Sequence, residues 1–265
     1  VIALESLFLQ LEMEPEKKMS FLDHLEELRW RIVKSAIVIV IFAVTLFSLQ
    51  TWIMENLFLS MQKPSFITFR LMCQYFNICV ESIAIDNQSI EMTGQFSYSL
   101  MMSIMGGFVL AFPFIFFQIW SFVKPGLKQN EKGIAGGIVI YVSILFFLGI
   151  TFGYFIVAPL CVQFFGNYVI SDVIKNNFTI SSYLGLVLST IFYTGLLFLL
   201  PVVSYLFTKL GVVSSDFLKK YRKHAIIGIL ILSALITPPD LISQVIVGIP
   251  IVLLYEVGIF VSKRV

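Results

Sequence analysis

Long apolar segments alternate with short polar ones along most of the chain. Six of these segments could each form a membrane-spanning helix, because crossing a bilayer takes about 20 mostly apolar residues. They cover residues 32–49, 95–122, 134–157, 183–207, 225–236 and 241–261. The pattern therefore predicts an all-α integral membrane protein with six transmembrane helices.

The fifth segment is shorter than the others. Residues 225–236 would form only about 18 Å of helix, whereas the hydrocarbon core is about 30 Å thick. The helix can reach the interface only if it includes Tyr221–His224, or if the bilayer is thinner there. We still predict a helix, because Pro238 and Pro239 end the segment sharply and another long apolar segment follows.

Basic residues lie almost entirely on one side of these six segments. Fifteen of the 18 Lys and Arg residues belong to the N-terminal segment, the 2–3 loop, the 4–5 loop and the C-terminus. The other side carries only Lys63, Arg70 and Lys175. Since loops rich in Lys and Arg stay in the cytoplasm, this distribution predicts that both termini are cytoplasmic.

The two large outer segments differ in composition. Residues 51–94 are rich in Ile, Phe, Tyr and Val, which favours short strands or a folded cap over a loose loop. Ala158–Ser182 is shorter, with Pro159 near its start. Cys73 and Cys79 both lie outside, where they either form a disulfide, if the compartment is oxidising, or are two small buried apolar residues.

Composition supports a membrane protein and gives no sign of an enzyme. The chain is 58% hydrophobic and 13% charged, whereas an ordinary globular domain is about 25% charged. With two His and three Cys residues, we expect neither a metal site nor another cofactor. The HLEEL stretch at His24 is not the HExxH zinc motif, and no nucleotide-binding glycine motif is present. We therefore expect no catalysis and no nucleic-acid partner.

The N-terminal residues differ from the rest of the chain. Val1–Leu11 is apolar but short, lacks a basic start, and leads into an acidic stretch, so it does not resemble a secretory signal. Met19 is a plausible natural start. We therefore expect residues 1–18 to be a flexible extension and residues 19–265 to form the membrane domain.

Glu256 is the clearest ionisable residue inside a predicted span, and burying a charge in lipid costs at least about 2.5 kcal/mol. It is either functional, with Gln244 as a polar neighbour, or neutral and structural, satisfied by a hydroxyl or amide. Asp240 is either functional or a helix N-cap. A secondary or proton-coupled small-solute transporter remains an alternative, although transporters usually carry several intramembrane charges.

Three stretches together resemble the TatC family, the polytopic component of the twin-arginine (Sec-independent) protein translocase. They are FLDHLEELRWR at 21–31, FVKPGLKQNEK at 122–132 and SALITPPDLISQ at 233–244. The resemblance runs from about Met19 to Val265 with six spans in the expected order. It implies a glove-shaped bundle with a concave face and short fifth and sixth helices.

The resemblance also implies a function. The family recognises folded precursor proteins by a signal peptide with two adjacent arginines, and it exports them using the proton-motive force. It works with single-span TatA- and TatB-type proteins, so we expect a homo-oligomer within a larger complex, in contact with membrane lipid. The expected location is the cell inner membrane, with thylakoid or mitochondrial membranes as alternatives.

Site residues follow from the same resemblance. The signal-binding positions fall on Glu27 and Glu131, and other characteristic cytoplasmic positions fall on Arg29, Phe122 and Pro125. The polar positions of the last two helices correspond to Asp240, Gln244 and Glu256. One position departs from the family: Leu199 stands two residues before a proline, where a Glu or Gln usually faces the concave surface. We therefore expect the middle of that surface to be less polar than usual.

The acidic residues before the first span have two interpretations. Asp23, Glu27 and Arg31 are spaced four residues apart, so they share one face of a helix. They are either ordinary solvated pairs, each worth about 0.3–0.5 kcal/mol, or part of a site for guanidinium groups. The resemblance favours the second interpretation.

Overall fold

The computed structural model describes residues 21–77, 79, 88–123, 135–171, 176–209, 211, 213–237 and 241–263. Within these ranges the chain is helical and contains no β-strand, which confirms the predicted all-α class. The helices, numbered in chain order, are α1 (Phe21–Ser48), α2 (Gln50–Ile53), α3 (Ile67–Phe76), α4 (Gly94–Val123), α5 (Ala135–Phe152), α6 (Ala158–Asn167), α7 (Ile180–Leu197), α8 (Leu200–Lys209), α9 (Ser215–Lys220), α10 (Arg222–Ile236) and α11 (Leu241–Ser262).

Most of the predicted spans correspond to long apolar helical stretches. Among the described residues, those long enough to cross a membrane are His24–Ser48, Gly94–Val123, Gly137–Asn167, Ile180–Lys209 and Gln244–Ser262. The remaining span is α10, whose 15 residues form about 22 Å of helix. It begins at Arg222, so it includes part of the preceding polar segment, as its short apolar stretch required.

The third span is predicted to end at Val157, and its helical stretch continues to Asn167. The boundary between this span and an outer segment at residue 158 stays a prediction. A π-helical turn over Gly153–Val157 precedes Pro159, which lies in the first turn of α6. Proline has no N–H to donate to the carbonyl four residues earlier. That carbonyl, of Phe155, instead accepts a hydrogen bond from the Thr68 hydroxyl.

Residues 50–76, which we call the cap, fold as helical turns. The expectation of short strands is wrong here, and the folded-cap alternative is the one observed. Tertiary packing outweighs β-propensity, because Phe66 and Phe69 of the cap are buried in a core shared with α4, α6 and α7. Asn77 ends α3 in the left-handed conformation, and a disulfide joins Cys73 to Cys79 across this turn.

Tyrosine hydroxyls attach the cap to the bundle. The hydroxyl of Tyr183, in α7, donates to the carbonyl of Phe58 at 2.6 Å, and both lie in the buried core. The hydroxyl of Tyr154 donates to the carbonyl of Leu57 at 2.9 Å. Both acceptors belong to the π-helical turn that follows α2.

Helix α1 packs along α4 and leaves most of its other faces exposed. The two backbones approach closely at Gly107. A Cβ at this position would lie 2.8 Å from the carbonyl oxygen of Ile39 and 2.9 Å from the nitrogen of Ala43. Only glycine allows this approach, which is typical of helix pairs in membranes.

Candidate functional site

Two helix ends meet at the basic end of the bundle, where α1 begins and α4 finishes. The imidazole ring of His24 stacks on the ring of Phe122, with centroids 4.2 Å apart and planes 15° apart. This contact brings Phe122, one of the residues implied by the family resemblance, next to the helical turn that carries Glu27.

Glu27 forms a half-buried ion pair with Arg31. The Nε of Arg31 donates to Oε1 of Glu27 at 2.9 Å, and its Nη2 donates to the same oxygen. Exposure of the two side chains is 25% for Glu27 and 21% for Arg31. This contact is of the kind that the interpretation as ordinary solvated pairs implied, although it is more enclosed than a surface pair. The favoured interpretation, a site for the guanidinium groups of a signal peptide, stays a prediction.

A third residue completes this cluster from α4. The Nη1 of Arg31 donates to the side-chain oxygen of Gln118 at 3.2 Å and approaches its backbone oxygen at 3.5 Å. Gln118 is buried, with 8% exposure. Sequence reasoning did not find it, because the contact spans 87 residues and depends on how α1 and α4 align.

The two carboxylate oxygens of Glu27 differ in their hydrogen bonding. Oε2 is shielded from solvent, and none of the described residues donates a hydrogen bond to it. A carboxylate can accept two parallel N–H bonds from one guanidinium, one on each oxygen. Arg31 uses only Oε1, so this two-oxygen geometry is not made within the described cluster.

Arg29 lies apart from the Glu27 pair. Its guanidinium pairs with Glu26 at 3.2 Å, and the side chains are 67% and 63% exposed. It also lies over the ring of Trp30 at 5.9 Å. An exposed pair of this kind contributes little to stability.

The other residues implied by the resemblance, Glu131, Pro125 and Asp240, lie outside the described residues.

The polar residues of α11 have partners in α10. Nη2 of Arg222 donates to Oε2 of Glu256 at 2.5 Å, with side-chain exposures of 50% and 35%. The sequence had suggested a hydroxyl or amide partner for this carboxylate. Gln244 donates from Nε2 to the carbonyl of Leu230 at 3.2 Å. These contacts join the two ends of α11 to α10.

Leu199 lies in the break between α7 and α8, two residues before Pro201. Its side chain is partly buried and packs against an apolar cluster of α4, α5 and α8 that includes Phe112, Phe146 and Val202. The family resemblance implied a position facing the concave surface. In this structure, Leu199 makes apolar contacts between helices.

An apolar groove opens between α1, α4, α5, α7 and the cap. Its volume is about 510 Å³, and it is lined by residues including Leu46, Met105, Phe155 and Phe192. Among the described residues, its lining contains no Asp, Glu, Lys, Arg or His. The described residues also contain no cluster of three His, Cys, Asp or Glu side chains that could hold a metal ion.

Comparisons with known proteins agree on one family. The family described as TatC, Sec-independent protein translocase protein, matches residues 23–250. The Sec-independent protein translocase protein TatC of Blattabacterium sp. subsp. Periplaneta americana (strain BPLAN) is 36% identical over 259 residues, covering 94% of this chain and 97% of that protein. The protein of the same name from Carboxydothermus hydrogenoformans is 35% identical over 255 residues, covering 94% of each chain.

A solved structure supports the same assignment. The crystal structure of the twin-arginine translocase receptor TatC in DDM matches with a TM-score of 0.69 and 29% sequence identity. The match covers 91% of this chain and 99% of that one. The chain therefore belongs to the TatC family of Sec-independent protein translocase proteins.

Proposed function

We propose that this chain is the receptor for twin-arginine signal peptides in a translocase that exports folded proteins. The observation that carries the proposal is the enclosed carboxylate of Glu27, which already accepts a guanidinium group from Arg31. The chain contains this acceptor at the start of the helix that forms the first span. Membership of the TatC family supplies the biological context.

The chemistry of this acceptor explains why the signal carries arginine. Arginine presents a planar fork that a carboxylate accepts through two parallel hydrogen bonds, whereas lysine presents a compact point charge. Glu27 and Glu131 would each accept one guanidinium of the pair. Phe122, stacked on His24 beside Glu27, would contact the apolar part of the signal.

Charge distribution supports a cytoplasmic orientation for this site. Fifteen of the 18 basic residues lie in segments on the same side as the start of α1. We therefore place both termini in the cytoplasm and the disulfide-linked cap on the opposite side. The curated relatives quoted above are bacterial proteins, which favours the cell inner membrane.

The proposed partners are single-span TatA- and TatB-type proteins and further copies of this chain, with the proton-motive force as energy source. Gln244, Glu256 and Asp240 are the proposed partner-facing polar positions. The transporter alternative is not favoured, because the chain belongs to a translocase family and the described residues that line the groove include no Asp, Glu, Lys, Arg or His.

Peptide binding tests the receptor function directly. A fluorescent signal peptide with adjacent arginines, and its Lys-Lys counterpart, would be titrated with the purified full chain and with Glu27→Gln and Glu131→Gln. A charge-assisted hydrogen bond contributes about 1.5–3 kcal/mol, and partial exposure favours the lower end. We therefore expect each variant to raise the Kd for the Arg-Arg peptide about tenfold.

Glu26→Gln is the matched control, because it removes the same charge from the neighbouring residue, whose exposed partner is Arg29. Its Kd should stay within about twofold of wild type. The receptor function is contradicted if both Glu27→Gln and Glu131→Gln bind like wild type, or if wild type binds the Arg-Arg and Lys-Lys peptides equally.

A further inference from the structure

We propose that Arg31 is an internal competitor for Glu27 and that this competition lowers the affinity of the site for its signal peptide. In the structure, Arg31 occupies Oε1 of Glu27. A signal arginine would displace it, while Arg31 stays bound to Gln118. The inference rests on the proposed receptor function, which it deepens by naming a residue that sets the affinity.

The geometry of the ion pair makes Arg31 a displaceable occupant. Both of its N–H bonds to Glu27 converge on Oε1, while Oε2 has neither solvent nor a donor from the described residues. An incoming guanidinium that bonds one N–H to each oxygen would satisfy both. Such an arrangement satisfies the carboxylate more completely than the resting pair does.

Gln118 keeps the displaced guanidinium satisfied. An enclosed charge that loses its partner is strongly disfavoured, so an ion pair without a second acceptor would resist exchange. Arg31 has that second acceptor, because its Nη1 already donates to the buried side-chain oxygen of Gln118 at 3.2 Å. It can therefore release Glu27 without losing all of its hydrogen bonds.

Lysine meets the same competitor. Its ammonium group cannot form two parallel bonds to both carboxylate oxygens, so it binds Glu27 less well than a guanidinium does. A competitor that either cation must displace raises both Kd values by the same factor, so the preference for arginine comes from Glu27 and not from Arg31.

Arg31→Gln provides the main test, using the full chain in detergent with the Arg-Arg and Lys-Lys peptides. Removing a competitor increases the fraction of free sites, so the Kd for Arg-Arg should fall about three- to tenfold. The Kd for Lys-Lys should fall by the same factor, so the Lys-Lys to Arg-Arg ratio should stay unchanged. Lys34→Gln removes the same charge one turn away and should leave both Kd values within about twofold of wild type.

Gln118→Met provides a second, independent test. Among the described residues, only the backbone oxygen of residue 118, at 3.5 Å, is then left besides Glu27 to accept from Arg31. The exchange becomes harder, so Arg-Arg binding should weaken about threefold or more. In the Arg31→Gln background the same substitution should have no effect, because Gln118 acts through Arg31. Melting temperatures of all variants would show that they are folded, and if Arg31→Gln fails to fold, Gln118→Met alone decides.

The outcomes separate this inference from the receptor function. If wild type prefers Arg-Arg but Arg31→Gln binds it as wild type does, or more weakly, the receptor function stands and the competitor role is wrong. An equal fall in Kd with Lys34→Gln, or an equal effect of Gln118→Met in both backgrounds, also overturns it. If wild type has no preference for Arg-Arg, the receptor function itself fails and the competitor role fails with it.

Discussion

The hydrogen bond between Tyr183 and the cap gives a stability prediction that can be worked from the structure. Tyr183→Phe removes one hydroxyl from a side chain that is 5% exposed and keeps the ring in the core. The bond it loses is 2.6 Å long and buried. Loss of a buried partner costs about 1–3 kcal/mol, so we expect destabilisation of about 2 kcal/mol.

The corresponding change in melting temperature is measurable. For a protein of this size, 1 kcal/mol shifts the Tm by about 2–4 °C, so Tyr183→Phe should melt about 4–8 °C lower. Differential scanning fluorimetry of the detergent-solubilised chain provides the measurement. Tyr154→Phe should cost less, about 1–3 °C, because its bond to Leu57 is 2.9 Å long and more exposed.

Tyr193→Phe is the matched control, because it makes the same chemical change in the same helix on a side chain that is 53% exposed. Its Tm should stay within about 1 °C of wild type. If Tyr183→Phe has the same Tm as Tyr193→Phe, the hydrogen bond from the Tyr183 hydroxyl does not stabilise the cap, and apolar packing alone holds the cap in place.

Three further predictions concern helix packing and topology. Gly107→Ala should lower the Tm by several degrees, because its methyl group would lie 2.8 Å from a backbone oxygen of α1. Gly137→Ala is the control: a Cβ there has no atom within 4 Å, so the Tm should not change. Leu199→Glu should reduce the yield of folded protein, because a carboxylate would enter an apolar cluster; a wild-type yield and Tm would contradict the packing described here. A membrane-impermeant maleimide should label Cys79 in intact cells after reduction of the disulfide; labelling only after lysis would contradict the proposed topology.

Sequence reasoning succeeded where the controlling interaction was local. Hydropathy located the long spans because each needs only a continuous apolar stretch. The i, i+4 spacing placed Glu27 and Arg31 on one helix face for the same reason, although the resemblance favoured a site for other guanidinium groups. The early start of α10 was one of two alternatives that its short apolar segment left open, the other being a thinner bilayer.

Features that depend on contacts between distant segments were missed. The continuation of the third helical stretch past Pro159 was missed, because it depends on a π-helical turn and on the Thr68 hydroxyl, 87 residues from Phe155. The cap was partly read as strands, because burial against three helices overrode its β-rich composition. Arg222, the partner of Glu256, was missed because 34 residues separate them.

The close approach at Gly107 has a mechanical consequence for the site at the basic end. Where the two backbones touch, α1 cannot move closer to α4, so a change in the angle between the helices would turn about Gly107 as its fulcrum. Gln118 lies 11 residues farther along α4, about 17 Å from that fulcrum. A tilt of about 5° would displace the two helices there by roughly 1.5 Å, enough to break a normal hydrogen bond. Small changes in helix angle would therefore open or close the contact between Arg31 and Gln118.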